Sequence, residues 1–182
     1  MARTATRSGP LAGRHATGTD VAITPKEGAW KLSLRAPAPS RGALAKILGV
    51  TLPNKPRTSA SKGNRSALWL GPDEWLIVDD GRNNPTEALA TSGALCSAVD
   101  ISHRNVSIEV SGRRAAPVLS AGCPLDLDPE AFPVGSCTRT MFGKAEIVLW
   151  RTEASVFRVD CWRSFSDYVF ALLAESARDS VD

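Results

Sequence analysis

The chain has 182 residues and a mass of 19.3 kDa, with 22 Lys+Arg against 19 Asp+Glu and a formal net charge of +3. This length fits one domain, or two small halves sharing a core, and a composition 43% hydrophobic and 23% charged excludes disorder over most of the chain. The near balance of acids and bases argues against a nucleic-acid partner. Apolar runs such as residues 147–150 fall far short of the roughly 20 residues that a membrane span requires.

Residues 1–28 lack periodicity and are rich in Thr, Gly, Ala and Arg, which predicts a flexible N-terminal arm, or one that orders only against a partner. Residues 1–19 are acid-free and contain Arg, Ser and Thr, a faint likeness to a transit peptide. No apolar signal segment follows the start, so a cytoplasmic location without disulfides is expected. The first strand is predicted at residues 30–35, where Trp30, Leu32 and Leu34 share a face. Ser40 caps a short helix with Leu44, Ile47 and Leu48 at helical spacing. Residues 53–66 carry two Pro, four bases and no acid, and read as a loop. Strands at 67–70 and 74–78 flank the turn Gly71-Pro72-Asp73. A loop and short helix over 85–92 and a strand over 98–102 complete the first half.

The second half repeats this order. Residues 106–110 alternate as a strand, and Ser111 caps a helix that reaches Ser120 and ends at Gly122 and Pro124, with Pro117 delaying or bending it. Residues 138–142 and 145–150 form a hairpin about Gly143-Lys144, and 156–160 a further strand. Ser164, with Asp167 three residues on, caps a final helix whose apolar face is Phe165, Tyr168, Val169, Leu172 and Leu173. The order β-α-β-β-α-β then β-α-β-β-β-α defines an α+β fold of duplicated units, antiparallel sheets with helices packed on one side. A single domain over 29–182 is expected, in halves of about 29–103 and 104–180.

Several groupings invite chemistry. Asp100, Ser102 and His103 suggest a nucleophilic triad, but on a strand Ser102 and His103 point to opposite faces, so Asp100 and His103 read as strand-end groups that hold a turn or meet another chain. Ser111-Gly112-Arg113-Arg114 at a helix start could hold an anion, or simply begin a helix. Asp79-Asp80-Gly81 reads as a solvated turn. Lys55, Arg57, Lys62 and Arg65 lack the interleaved aromatics that stack bases, leaving a mobile solvated loop or a docking loop. Cys96, Cys123, Cys137 and Cys161 are too scattered for a zinc site, and His15 and His103 add little, so buried reduced thiols are expected. Five Trp against one Tyr, including Trp69, Trp75, Trp150 and Trp162, match the enrichment of interface cores. There is no dinucleotide, nucleotide or metal motif, and no residue is assigned as catalytic, cofactor-binding or metal-binding.

Residues 70–76 (LGPDEWL), 100–105 (DISHRN), 122–127 (GCPLDL) and 132–135 (FPVG) resemble the gamma subunit of heterotetrameric sarcosine oxidase. So do 137–140, 143–146, 149–151 and 162–168, the likeness extending over about 65–175. The resemblance implies partners, the alpha, beta and delta subunits, and a reaction that oxidatively demethylates sarcosine to glycine, formaldehyde or 5,10-methylenetetrahydrofolate, and hydrogen peroxide. It places FAD, FMN, NAD, tetrahydrofolate and zinc on the other subunits. It also implies the folate-binding fold of aminomethyltransferases, which the Asp-x-Ser-His of residues 100–103 resembles too. This chain would be a non-catalytic assembly subunit, with Arg139 and Arg163 in buried or interfacial ion pairs. The alternatives are a gamma-like subunit of a related N-methylglutamate dehydrogenase and a stand-alone folate-binding C1-transfer protein.

Overall fold

A computed structural model describes residues 8–26, 28–81 and 83–179. Its strands are β1 (Ala16–Gly18), β2 (Val21–Lys26), β3 (Trp30–Arg35), β4 (Ser59–Lys62), β5 (Arg65–Gly71), β6 (Glu74–Asp79), β7 (Ser97–Asp100), β8 (Asn105–Ser111), β9 (Cys137–Phe142), β10 (Ala145–Glu153) and β11 (Val156–Trp162). The helices are α1 (Arg41–Leu48), α2 (Thr86–Ala90), α3 (Ala115–Ser120) and α4 (Ser166–Asp179). The strands form two antiparallel sheets, ordered β4-β5-β6-β3-β7 and β1-β2-β8-β11-β10-β9.

Strand alternation sorts the side chains into layers. Trp30, Leu32, Leu34, Trp75 and Ile77 of the five-stranded sheet pack against Leu44 and Leu48 of α1 and Leu89 of α2. Ile108, Val110, Ile147, Leu149, Phe157 and Val159 of the six-stranded sheet pack against Val118 and Leu119 of α3 and Val169, Phe170 and Leu173 of α4. The opposite faces of the two sheets meet through Leu68, Leu76, Val78, Cys137 and Val148. The result is a helix–sheet–sheet–helix sandwich, the duplicated α+β arrangement that the element order predicts.

The arm expected over 1–28 differs from what its described part forms. Residues 16–26 are two strands, and Val21 and Ile23 are buried at 5% and 0% exposure in the core of the six-stranded sheet. The alternation of Val21 and Ile23 is too short to stand out among Thr and Gly. Gly18 permits the docking, since a Cβ there would lie 2.2 Å from the Ala177 carbonyl oxygen of α4. The first two strands thus join the sheet built from residues 105–162. Residues 1–7 and 27 of the arm lie outside the described residues.

The basic segment 53–66 is not a mobile loop either. Residues 59–62 and 65–71 pair as a hairpin, and the segment before it docks on the other half: Thr58 bridges to Ser136. Arg57 donates to the Ala131 carbonyl at 3.0 Å and lies over the Phe132 ring. Ser40 is the N-cap residue of α1, as expected, although its side chain makes no capping hydrogen bond. Two other helix caps differ. Ser164 lies in a 3₁₀ turn, Arg163–Phe165, that leads into α4. Ser111 ends β8, and α3 starts at Ala115, which puts Pro117 in the first turn where a backbone N–H has no helical partner.

Between β8 and α3, Gly112 has φ +117° and an added Cβ would sit 2.1 Å from the Asp20 carbonyl oxygen. Gly112→Ala therefore combines strain with a backbone clash, and is expected to lower stability by about 2–4 kcal/mol, read by urea unfolding. An unchanged midpoint would show that the β1–β2 turn does not press on this site.

Candidate functional site

A charged cluster lies between the sheets. In β11, alternation that sends Phe157 and Val159 to the helices sends Arg158 and Asp160 to the facing sheet. Asp160 is 2% exposed, and its Oδ1 accepts from Lys31 Nζ of β3 at 2.6 Å and from Ser107 Oγ of β8 at 2.5 Å. Its Oδ2 lies 3.3 Å from Arg158 Nε. Arg158 also donates to Ser107 Oγ at 2.9 Å and to Asp80 Oδ1 at 3.0 Å, where the chain leaves β6. Burial alone pushes the Asp160 carboxyl up, but Lys31 and then Arg158 hold it below the usual 3.8.

Beside this cluster a cleft of about 290 Å³ opens between the sheets. Glu74 Oε1 accepts from Arg139 at 2.6 Å and Oε2 from Arg35 at 2.9 Å, with Glu146 3.7 Å from Arg139 Nε. Burial raises the Glu74 pKa, and the two arginines, Arg139 foremost, bring it below its usual value. Arg139 is therefore in an ion pair within this chain. Trp162, at the cleft rim, is 42% exposed and carries the Arg104 guanidinium 4.5 Å from its ring centre.

A second cleft of about 550 Å³ is lined by Asp100, Ser102, His103, Lys26, Trp30 and Arg163 among others. The three triad-like residues do not converge. The Ser102 hydroxyl donates to Asp100 Oδ1 at 2.6 Å and accepts the Lys31 N–H at 2.9 Å. Asp100 also accepts the Ser102 amide and the Trp30 indole N–H, each at 2.9 Å. These bonds, with nearby His103, outweigh burial and lower the Asp100 pKa. His103 is exposed and no hydrogen bond joins it to Ser102 among the described residues. The motif ties β3 to the turn after β7.

The other candidates resolve into structural contacts. Arg113 pairs with Asp20 at 2.5 Å on the surface. Asp79 is not a solvated turn residue: it is 3% exposed and receives Arg65 at 2.8 Å, because the β5–β6 register sets residues 65 and 79 opposite each other. Asp80 meets Arg158. Trp75 is buried and donates to the Pro53 carbonyl at 2.7 Å, while Trp150 donates to Ser59 Oγ at 3.0 Å. All four cysteines are free, and burial pushes Cys137 and Cys161 up to about 12, far from a reactive thiolate. The reading of single residues missed Lys31, Ser107, Arg158, Asp160 and Glu74. The signal was there, in two charges spaced i, i+2 on the otherwise apolar strand Val156–Trp162 and a lysine between Trp30 and Leu32.

This architecture is that of the aminomethyltransferase fold. The chain superposes on the glycine cleavage system aminomethyltransferase T from Bartonella henselae with a TM-score of 0.65 at 13% identity, over 91% of this chain and 51% of that one. It matches the sarcosine oxidase gamma subunit family over residues 35–179 and belongs to that family. Sarcosine oxidase subunit gamma of Corynebacterium sp. (strain U-96) is 34% identical over 164 residues, 85% of this chain and 79% of that protein. A chain of the heterotetrameric sarcosine oxidase from Corynebacterium sp. U-96, in complex with pyrrole 2-carboxylate, superposes with a TM-score of 0.86 at 27% identity over 94% of each chain. No helix among the described residues is long and apolar enough to cross a membrane.

Asp160 is held below its unfolded pKa, so its contribution to stability is complete above about pH 4 and is lost as pH falls from there through the depressed folded value. Asp160→Asn leaves Lys31 and Arg158 buried without their carboxylate. It is expected to cost about 3–5 kcal/mol at pH 7 and to flatten the acid limb of the stability curve. A variant with the wild-type acid limb would show that other carboxylates set it.

Proposed function

We propose that this chain is the gamma subunit of a heterotetrameric sarcosine oxidase, a cytoplasmic flavoenzyme that oxidatively demethylates sarcosine. Its products are glycine, hydrogen peroxide and formaldehyde, or 5,10-methylenetetrahydrofolate when folate accepts the carbon. In this reading the alpha, beta and delta subunits hold FAD, FMN, NAD, tetrahydrofolate and zinc. This chain is one folate-binding-like domain of two halves that supports assembly and contributes no catalytic, cofactor-binding or metal-binding residue.

The observation that carries the reading is the inter-sheet space itself. The carboxylates buried there are engaged by cations of this chain, Asp160 with Lys31 and Arg158, and Glu74 with Arg35 and Arg139. Groups held in such mutual contacts are poorly placed to bind or ionise a substrate. Membership of the gamma subunit family supports the same role.

Co-expression with the three other subunits tests it. A yellow complex that contains this chain and oxidises sarcosine is expected, and omitting this chain should lower the yield of that complex. A stable chain that ignores those partners and binds tetrahydrofolate by itself would overturn the proposal. A complex that oxidises a different N-methyl amino acid would correct the substrate and leave the assembly role standing.

A further inference from the structure

Two segments far apart in the chain meet on one exposed patch. The turn after β7 carries Arg104, and the start of the 3₁₀ turn before α4 carries Arg163. They are joined where the Arg163 N–H donates to the Arg104 carbonyl at 2.7 Å. Arg104 stacks on Trp162, and Trp162 and Phe165 are 42% and 46% exposed. Arg14, Arg35, Arg65, Arg113, Arg139 and Arg158 all meet carboxylates of this chain. Neither Arg104 nor Arg163 meets one among the described residues. Val99, 48% exposed on the edge strand β7, continues the apolar rim across the cleft beside Trp162.

We infer that Arg104, Trp162, Arg163 and Phe165 form the surface on which this chain docks against a carboxylate-bearing face of a flavin-bearing subunit of the complex, an inference that rests on the assembly reading above. Exposed aromatics cost free energy in water, and Trp and Arg are the residues that contribute most per side chain at interface centres. The backbone bond and the cation–π stack already hold the patch in shape, so little ordering remains to be done on docking. Charge complementarity selects the occupant. Two guanidiniums without a carboxylate of their own call for acids, and Arg engages a carboxylate through two parallel hydrogen bonds.

The test is co-expression of Arg104→Glu and Arg163→Glu with the other three subunits, with Lys62→Glu on the remote edge strand β4 as the control. Either charge reversal is expected to weaken retention of this chain in the complex at least tenfold, with the thermal midpoint of the isolated full chain unchanged. Raising the ionic strength should release the wild-type chain in the same direction. Arg163→Gln, which removes the charge without reversing it, is the second variant wherever Arg163→Glu fails to fold, and it should also weaken retention. If the wild-type chain does not co-purify, the assembly reading falls and the patch with it. If the wild-type chain co-purifies and the Arg104 and Arg163 variants do so equally, the assembly reading stands and this docking surface is wrong.

Discussion

The fold depends on a buried carboxylate that three elements share. Asp160 of β11 takes Lys31 from β3 of the opposite sheet, Ser107 from the neighbouring strand and Arg158 from its own, and Arg158 reaches on to Asp80 at the end of β6. Each of these groups would be costly to bury alone, and their mutual attraction offsets that cost where the two sheets close face to face. An apolar triad of the same volume could match the cluster in stability. What it could not match is the register. Charges meet only when β3 lies across β11 at one offset, whereas the apolar contacts of Leu68, Leu76, Val78, Cys137 and Val148 would tolerate sliding. The cluster thus specifies how the two halves sit on each other more than it holds them together.

That constraint explains how function is distributed. In a two-sheet sandwich with helices outside, the space between the sheets is the natural place for a ligand. Here ion pairs and apolar contacts bridge the sheets beside a cleft of about 290 Å³. The Asp100 and Ser102 pair, which looks like chemistry in the sequence, is consumed in fastening β3 to the turn that leads into β8. On the surface, by contrast, aromatic and cationic groups meet where Arg104 stacks on Trp162 and bonds to Arg163.

Much of this was legible in the sequence, for identifiable reasons. The strand Trp30–Arg35 and the final helix could be read because one face of each is continuously apolar, and the turn Gly71-Pro72-Asp73 because its residues admit few alternatives. The α+β duplication followed from element order. The strands at 16–26 and 59–62 were not legible, because they are short, sit at or near sheet edges and draw their stability from Val110, Ile108 and the neighbouring hairpin strand. The starts of α3 and α4 were misplaced by a few residues, where a proline or a 3₁₀ turn intervened. Ion pairs between sheets were invisible because they join positions 31 and 160, or 74 and 139, whose proximity exists only after the sheets stack.

The same separation in sequence bears on what the chain presents to a partner. Arg104 and Trp162 are 58 positions apart, yet β8 and β11 are adjacent and antiparallel, with Asn105 opposite Trp162 in register. The residues just before β8 and just after β11 must therefore lie side by side. One end of that strand pair carries Arg104, Trp162, Arg163 and Phe165, and the middle carries Ser107, Arg158 and Asp160. The strands that fix the buried cluster also fix the exposed patch, so an error in sheet register would disturb both. Internal closure and the inferred docking surface are thus two consequences of a single strand pairing.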